Sequence, residues 1–119
     1  MQNVYPALRI TDYEKSKAFY VDGLGFRIKS EHRFAPPLLV FMTISRDGFS
    51  LYLSQHAGNC QPGGLVSLYV PDVDALHEEI TGRGIKAQSP PEDFEVRIRD
   101  FRVIDPDGNK LDFCTRLTS

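Results

Sequence analysis

The side chains that could do chemistry in this chain are few and scattered: three histidines, two cysteines and 16 carboxylates in 119 residues. A structural or catalytic zinc site needs several His, Cys, Asp or Glu donors brought together at characteristic spacings. His32 falls near the end of a strand-like run, His56 in a Gly- and Pro-rich stretch, and His77 on a helical pattern between Leu76 and Glu78. None stands at helical or strand spacing from another donor. His56 and Cys60, separated by Ala57-Gly58-Asn59, make only a flexible two-donor pair. For each histidine the expected role is an incidental surface one. The chain has no G-x-S-x-G, no phosphate-binding loop and no C-x-x-C, so nucleophilic catalysis has no motif here. Cys60 in a turn-rich stretch and Cys114 in a strand-like one read as reduced thiols, since a small secreted scaffold would carry more cysteines.

The elements that must position these residues come in two copies. Sliding the chain against itself by 60 positions places Leu8 and Ile10 on Leu68 and Val70, and Asp12 on Asp72. The same shift places Phe41 and Ile44 on Phe101 and Ile104, Asp47-Gly48 on Asp107-Gly108, and Leu51 and Leu53 on Leu111 and Phe113. An internal repeat of this kind points to two copies of one module. Residues 56–63 have no apolar period and carry Gly and Pro punctuation, so they read as a linker between module one (1–55) and module two (64–119) of a single domain.

Within module one, Val4 to Ile10 alternates as a strand does, and Thr11-Asp12 offers a helix cap with Glu14 in the first turn. That helix closes at Asp22-Gly23. Strand-like runs follow at Phe26–Glu31, Leu38–Ser45 and Phe49–Ser54, the last two joined by Arg46-Asp47-Gly48. Module two repeats the order: a strand Leu65–Val70, a helix opened by Pro71-Asp72 with Val73, Leu76 and Ile80 as its apolar stripe, and a stop at Gly84. Strands Ile85–Gln88, Val96–Ile104 and Lys110–Thr115 complete it, with Asp105-Pro106-Asp107-Gly108-Asn109 as the turn. Each module reads β-α-β-β-β, which makes the fold class α+β.

Composition removes several function classes. Apolar residues are 41% and the formal charge is -2, so there is no basic surplus to neutralise a nucleic-acid backbone. The longest apolar run, Leu38 to Met42, is too short to cross a bilayer. The opening Met1-Gln2-Asn3-Val4-Tyr5-Pro6 lacks a charged segment followed by an apolar one, so neither nucleic acid nor membrane is expected as a partner and the expected compartment is the cytoplasm.

Paired β-α-β-β-β modules, a first strand running into Ile10-Thr11-Asp12, a helix carrying Phe19-Tyr20 and the closing Asp105-Pro106-Asp107-Gly108-Asn109 together resemble the glyoxalase/bleomycin-resistance/extradiol-dioxygenase superfamily, the vicinal oxygen chelate fold. The resemblance spans essentially the whole chain. It implies two modules forming a curved mixed sheet with an open cleft, helices on the outer face, and a homodimer that completes the cleft. Enzymes of this superfamily hold a divalent metal on four side chains of the cleft. Counting from the motifs, those positions here are Tyr5, Tyr52, Leu65 and Asp112. Leucine cannot donate, and phenols with a pKa of about 10 are poor ligands at neutral pH. The resemblance is therefore closest to the metal-free binding proteins of the bleomycin-resistance type, with no cofactor and no catalytic residue. A metal-dependent lyase, isomerase or dioxygenase with displaced ligands is the alternative.

In phase with those positions, the cleft is expected to receive Tyr5, Ala7 and Arg9 from one module's first strand and Leu65, Ser67 and Tyr69 from the other's. Tyr52 and Asp112 lie on its floor. Phe41 and Phe101 are candidate walls whose strand faces stay open at this stage, and Phe34 lies in an overhanging loop beside Pro36-Pro37. Aromatic plates with a few polar anchors suit a small planar or glycopeptide-like organic ligand. Asp112 and Asp100 are the carboxylates for a cationic one. The resemblance is incomplete at Val96, where such proteins commonly carry a Trp, a residue this chain lacks.

Overall fold

A computed structural model describes residues 2–34, 36–95 and 97–117. In chain order the elements are β1 (Ala7–Arg9), α1 (Tyr13–Lys17) widening into a π-helical stretch (Ala18–Gly23), β2 (Arg27–Arg33), β3 (Val40–Arg46), β4 (Phe49–Ser54), β5 (Leu65–Tyr69), α2 (Val73–Gly82), β6 (Glu92–Glu95), β7 (Ile98–Ile104) and β8 (Lys110–Arg116). The mixed sheet is built as two four-stranded sheets, one per module, ordered β1-β4-β3-β2 and β5-β8-β7-β6. β1 runs parallel to β4 and β5 parallel to β8, while the other pairs are antiparallel. Among the described residues, no helix is long and apolar enough to cross a membrane.

Both helices open where the sequence places their caps. The Asp12 carboxylate accepts from Lys15 N at 3.0 Å, and Asp72 accepts from Asp74 N and Ala75 N at 3.0 and 3.1 Å. Strand alternation then sends one set of side chains toward the helices. Leu8, Ile10, Val40, Met42, Ile44, Leu51 and Leu53 are buried in module one, and Leu68, Val70, Val103, Leu111 and Phe113 pack with α2's Val73, Leu76 and Ile80 in module two. The helix layer covers one face of each sheet and leaves the other as the concave face.

The Asp105–Asn109 turn does more than reverse the chain. Buried Tyr20, carried on the π-helical stretch, donates its hydroxyl to Asp105 Oδ2 at 2.7 Å. Asp105 Oδ1 accepts from the N–H groups of Asp107 and Asn109. Asn109 Nδ2 donates to Arg9 O at 2.7 Å, while its Oδ1 accepts from Gly63 N and Gly64 N. Thr11 donates to Asp107 through both N and Oγ1. The turn thus clamps module two onto the first strand and helix of module one. At the other end, Arg46 and Arg83 both reach Glu79, and Arg83 Nε donates to Gly23 O at 2.9 Å. Gly23 also lets Ile85 pack close against it, because a Cβ there would stand 2.3 Å from Ile85 Cδ1.

Four expectations are corrected. β1 is Ala7–Arg9 rather than Val4–Ile10, although pairing extends from Pro6 O, which accepts from Tyr52 N, to Ile10 N, which donates to Ser54 O. In the run 85–88 only Ala87 forms a bridge, to Val103, and Gln88 N donates to Arg102 O. Pro90 and Pro91 lack the N–H a ladder needs, so the edge strand resumes only at Glu92. Where a single strand Val96–Ile104 was expected, Glu95 pairs back on Ile98, giving a hairpin between β6 and β7; Val96 itself lies outside the described residues. Finally, the 60-residue shift fails in β7. Ser45 and Ser50 enclose residues 46–49, but Ile104 and Lys110, the corresponding pair, enclose 105–109, one residue more. A slip of one residue sends every side chain of a strand to the other face. Met42 therefore corresponds to Phe101, Ile44 to Val103, and Phe41 to Asp100.

Candidate functional site

The concave face of module one is built in rungs. Arg9, Ser54, Phe41 and His32 pair in one row across the sheet, and Ala7, Tyr52, Thr43 and Ser30 in the next. Residues directly opposite on neighbouring strands share a face. On it the Tyr5 ring stacks on Tyr52 (centroids 5.3 Å, planes 17° apart), and Phe41 lies against Tyr52 at 4.9 Å, tilted by 46°. Tyr5 is 42% exposed. Phe34 stands edge-on to His56 at 5.1 Å, and these two with Leu39, Phe41 and residues 57–59 enclose a cavity of about 620 Å³. The linker is thus a wall of this cavity, held by Ser54 Oγ, which accepts from His56 N and Asn59 Nδ2. Sequence reasoning treated His56 as incidental; its position beside a break in apolar period carried no sign of this.

Module two presents Tyr69, Cys114, Asp100 and Glu92 in one row and Ser67, Asp112 and Arg102 in the next. All of these but Glu92 line a cavity of about 440 Å³, with exposed Phe94 at its side. Asp112 is already engaged by Arg102, which donates from Nε at 2.6 Å and Nη2 at 3.0 Å. It is therefore not the free anchor for a cation that was expected, and Arg102, which neutralises it, was not anticipated. The Asp100 carboxyl is raised above its ordinary range by burial and by the Asp112 charge. Burial and the same two carboxylates push the Cys114 thiol up to about 11, so it is protonated and inert at neutral pH. Arg116 places its guanidinium 4.3 Å from the centre of the Tyr69 ring. Ser67 is exposed between them on β5.

Phe101 is the candidate wall whose strand face the sequence leaves open; it borders the module-two cavity but turns its ring into the core. It is 2% exposed and packs its ring against Phe113 at 5.5 Å and His77 at 5.2 Å, under the helix layer. The extra turn residue is the cause. Asp100, not Phe101, is the module-two counterpart of Phe41.

The positions where the superfamily's enzymes hold metal do not form a metal site in this chain. Tyr5 and Tyr52 are stacked as rings, Leu65 has no donor atom, and Asp112 is bound to Arg102. Among the described residues, no three His, Cys, Asp or Glu side chains come together in a way that would hold an ion.

Tandem modules with this strand order, and a concave face opposite the helices, define a vicinal oxygen chelate protein. The chain belongs to the glyoxalase superfamily: the family model described as "Glyoxalase superfamily protein" matches residues 1–119. It is 27% identical to YraH of Bacillus subtilis (strain 168), with 92% of this chain and 94% of that one covered. A member of the glyoxalase/bleomycin resistance protein/dioxygenase superfamily from Sphaerobacter thermophilus DSM 20745 superposes with a TM-score of 0.76 at 27% identity, over 98% of both chains. TnmS3, an antibiotic binding protein from Streptomyces sp. CB03234, shares the fold at 22% identity, TM-score 0.71, over 98% of this chain and 97% of that one.

Proposed function

We propose that this protein binds a planar aromatic small molecule, of the antibiotic class, and sequesters it without chemical change. The observation that carries this reading is the Tyr5–Tyr52–Phe41 ladder, which fills with aromatic plates the place where the enzymes of the superfamily hold metal ligands. Stacked or tilted rings beside an open cavity offer a flat ligand favourable contact on a surface already partly ordered. The fold shared with an antibiotic binding protein adds support.

The working form in this reading is a cytoplasmic homodimer. Leu65 and Phe94, 57% and 68% exposed, leave apolar surface on module two that a second copy would cover. The test is thermal melting with and without planar antibiotics and divalent metals. A ligand at about 100 times its Kd adds roughly 2.7 kcal/mol, several degrees for a domain of this size. A shift with an aromatic drug and none with metals supports the reading, and a shift with zinc, nickel, manganese or iron alone refutes it.

A further inference from the structure

The charge on the module-one face points to the class of ligand, an inference that rests on the binding reading above. Arg46, Arg83, Arg99 and Arg102 are each held by a carboxylate at the surface of this protein. Arg9 is not. It projects from β1 on the rung of Ser54 and Phe41, and its Nε is buried with no hydrogen-bond partner among the described residues. The Ser54 hydroxyl beside it is occupied by the linker. The Cys60 thiol feels the Arg9 charge: burial pushes its pKa up and Arg9 pulls it down. His56 Nε2, at the cavity wall, is likewise buried and unpartnered.

Among the described residues, no carboxylate on this face answers the guanidinium: the strand residues paired across it are aromatic, small, polar or cationic (Arg9 and Arg27). A buried donor left without an acceptor is costly, and a guanidinium gains most from a planar, two-oxygen anion. Arg9 lies two residues along β1 from Ala7, the partner of Tyr52, so the rung of the cation and the rung of the aromatic plate are about 7 Å apart along the strand. That spacing suits a fused-ring molecule carrying a carboxylate on its edge.

We infer that the module-one face binds a planar aromatic acid, with the Arg9 guanidinium holding the carboxylate while Tyr52 and Phe41 cover the ring. Arg9 thereby selects anionic over neutral or cationic aromatics. This is the opposite of what Asp112 would provide had it been free.

The test is isothermal titration of the full chain with 2-naphthoate, 2-naphthamide and 2-naphthylmethylammonium. In the native protein 2-naphthoate binds at least tenfold more tightly than the amide, the order expected when a charge-assisted hydrogen bond is gained. Arg9→Gln brings the acid down to the amide's affinity, and Arg9→Lys, which keeps the charge without the planar fork, retains part of the preference. Equal binding of acid and amide by the native protein, or a tighter ammonium, overturns the inference while leaving aromatic binding intact, and needs no variant to fold. An acid preference that survives Arg9→Gln overturns Arg9's role. Failure of all three probes to bind overturns the inference together with the aromatic-ligand reading beneath it.

Discussion

The hydroxyl of Tyr20 gives the sharpest quantitative test of how the modules are held together. Tyr20→Phe removes one oxygen from a side chain with no exposed surface and leaves the ring in its contacts with Phe19 and Phe26. What is lost is a 2.7 Å bond to a carboxylate that is itself buried. Hydrogen bonds to charged groups contribute about 1.5–3 kcal/mol net. Asp105 keeps three other donors in the variant, the N–H groups of Asp107 and Asn109 and Nδ2 of Asn109, so its charge is not stranded. The lower part of that range, about 1.5–2 kcal/mol, is therefore expected. Burial, and then the Asp105 charge, also hold the Tyr20 phenol well above its ordinary pKa, so the bond persists through the alkaline range in which a free tyrosine ionises. Urea unfolding followed by far-ultraviolet circular dichroism measures the difference, with an unchanged m-value. Tyr13→Phe is the matched control: its 2.8 Å bond to Glu31 is at the surface and should be worth under about 0.5 kcal/mol. If Tyr20→Phe cost no more than Tyr13→Phe, the turn would not be the clamp described above.

Tyr52→Ala removes the centre of the aromatic ladder and should weaken a planar ligand by about 1–2 kcal/mol in a titration while the circular dichroism spectrum is kept; unfolding would make Tyr52 a core residue instead. For Asp100, a folded-state pKa above the unfolded one means ionisation is harder in the native protein, so its contribution is favourable at low pH and is lost as pH rises through the carboxylate range. Asp100→Asn should accordingly be at least as stable as the native protein at pH 7, with its relative advantage shrinking below about pH 4, as read by urea melts at both values. Gly23→Ala drives a Cβ into Ile85 and should cost about 1–3 kcal/mol, with part recovered in the Gly23→Ala/Ile85→Val double variant. Full additivity of the two changes would argue that they do not meet.

The module order, both helix caps and the Asp47-Gly48 and Asp107-Gly108 turns were legible because each rests on local chemistry: alternation, a capping carboxylate, or a glycine at positive φ. What the sequence hid were effects of register and distance. The single extra residue in the second hairpin settles the strand face that the sequence left open, with Phe101 in the core and Asp100 at the position matching Phe41, and a repeat matched at constant shift is blind to such a slip. Pro90-Pro91 displaced an edge strand in the same way, by removing donors that pairing requires. In the site, counting to motif positions singles out Tyr5 and Tyr52, but not that their rings stack. Arg102 on Asp112 and the linker against Phe34 depend on which residues face each other across the sheet, and no spacing in the chain encodes that.

The central claim is that an aromatic ligand is held without metal and without conversion. The direct measurement is to strip the protein with a chelator, incubate it with a planar aromatic antibiotic, separate the complex by gel filtration, and analyse the released ligand by mass spectrometry. The account predicts a stoichiometric complex in the metal-free state and recovery of the ligand unchanged. Binding that returns only when a divalent ion is restored, or release of a chemically altered ligand, would contradict it.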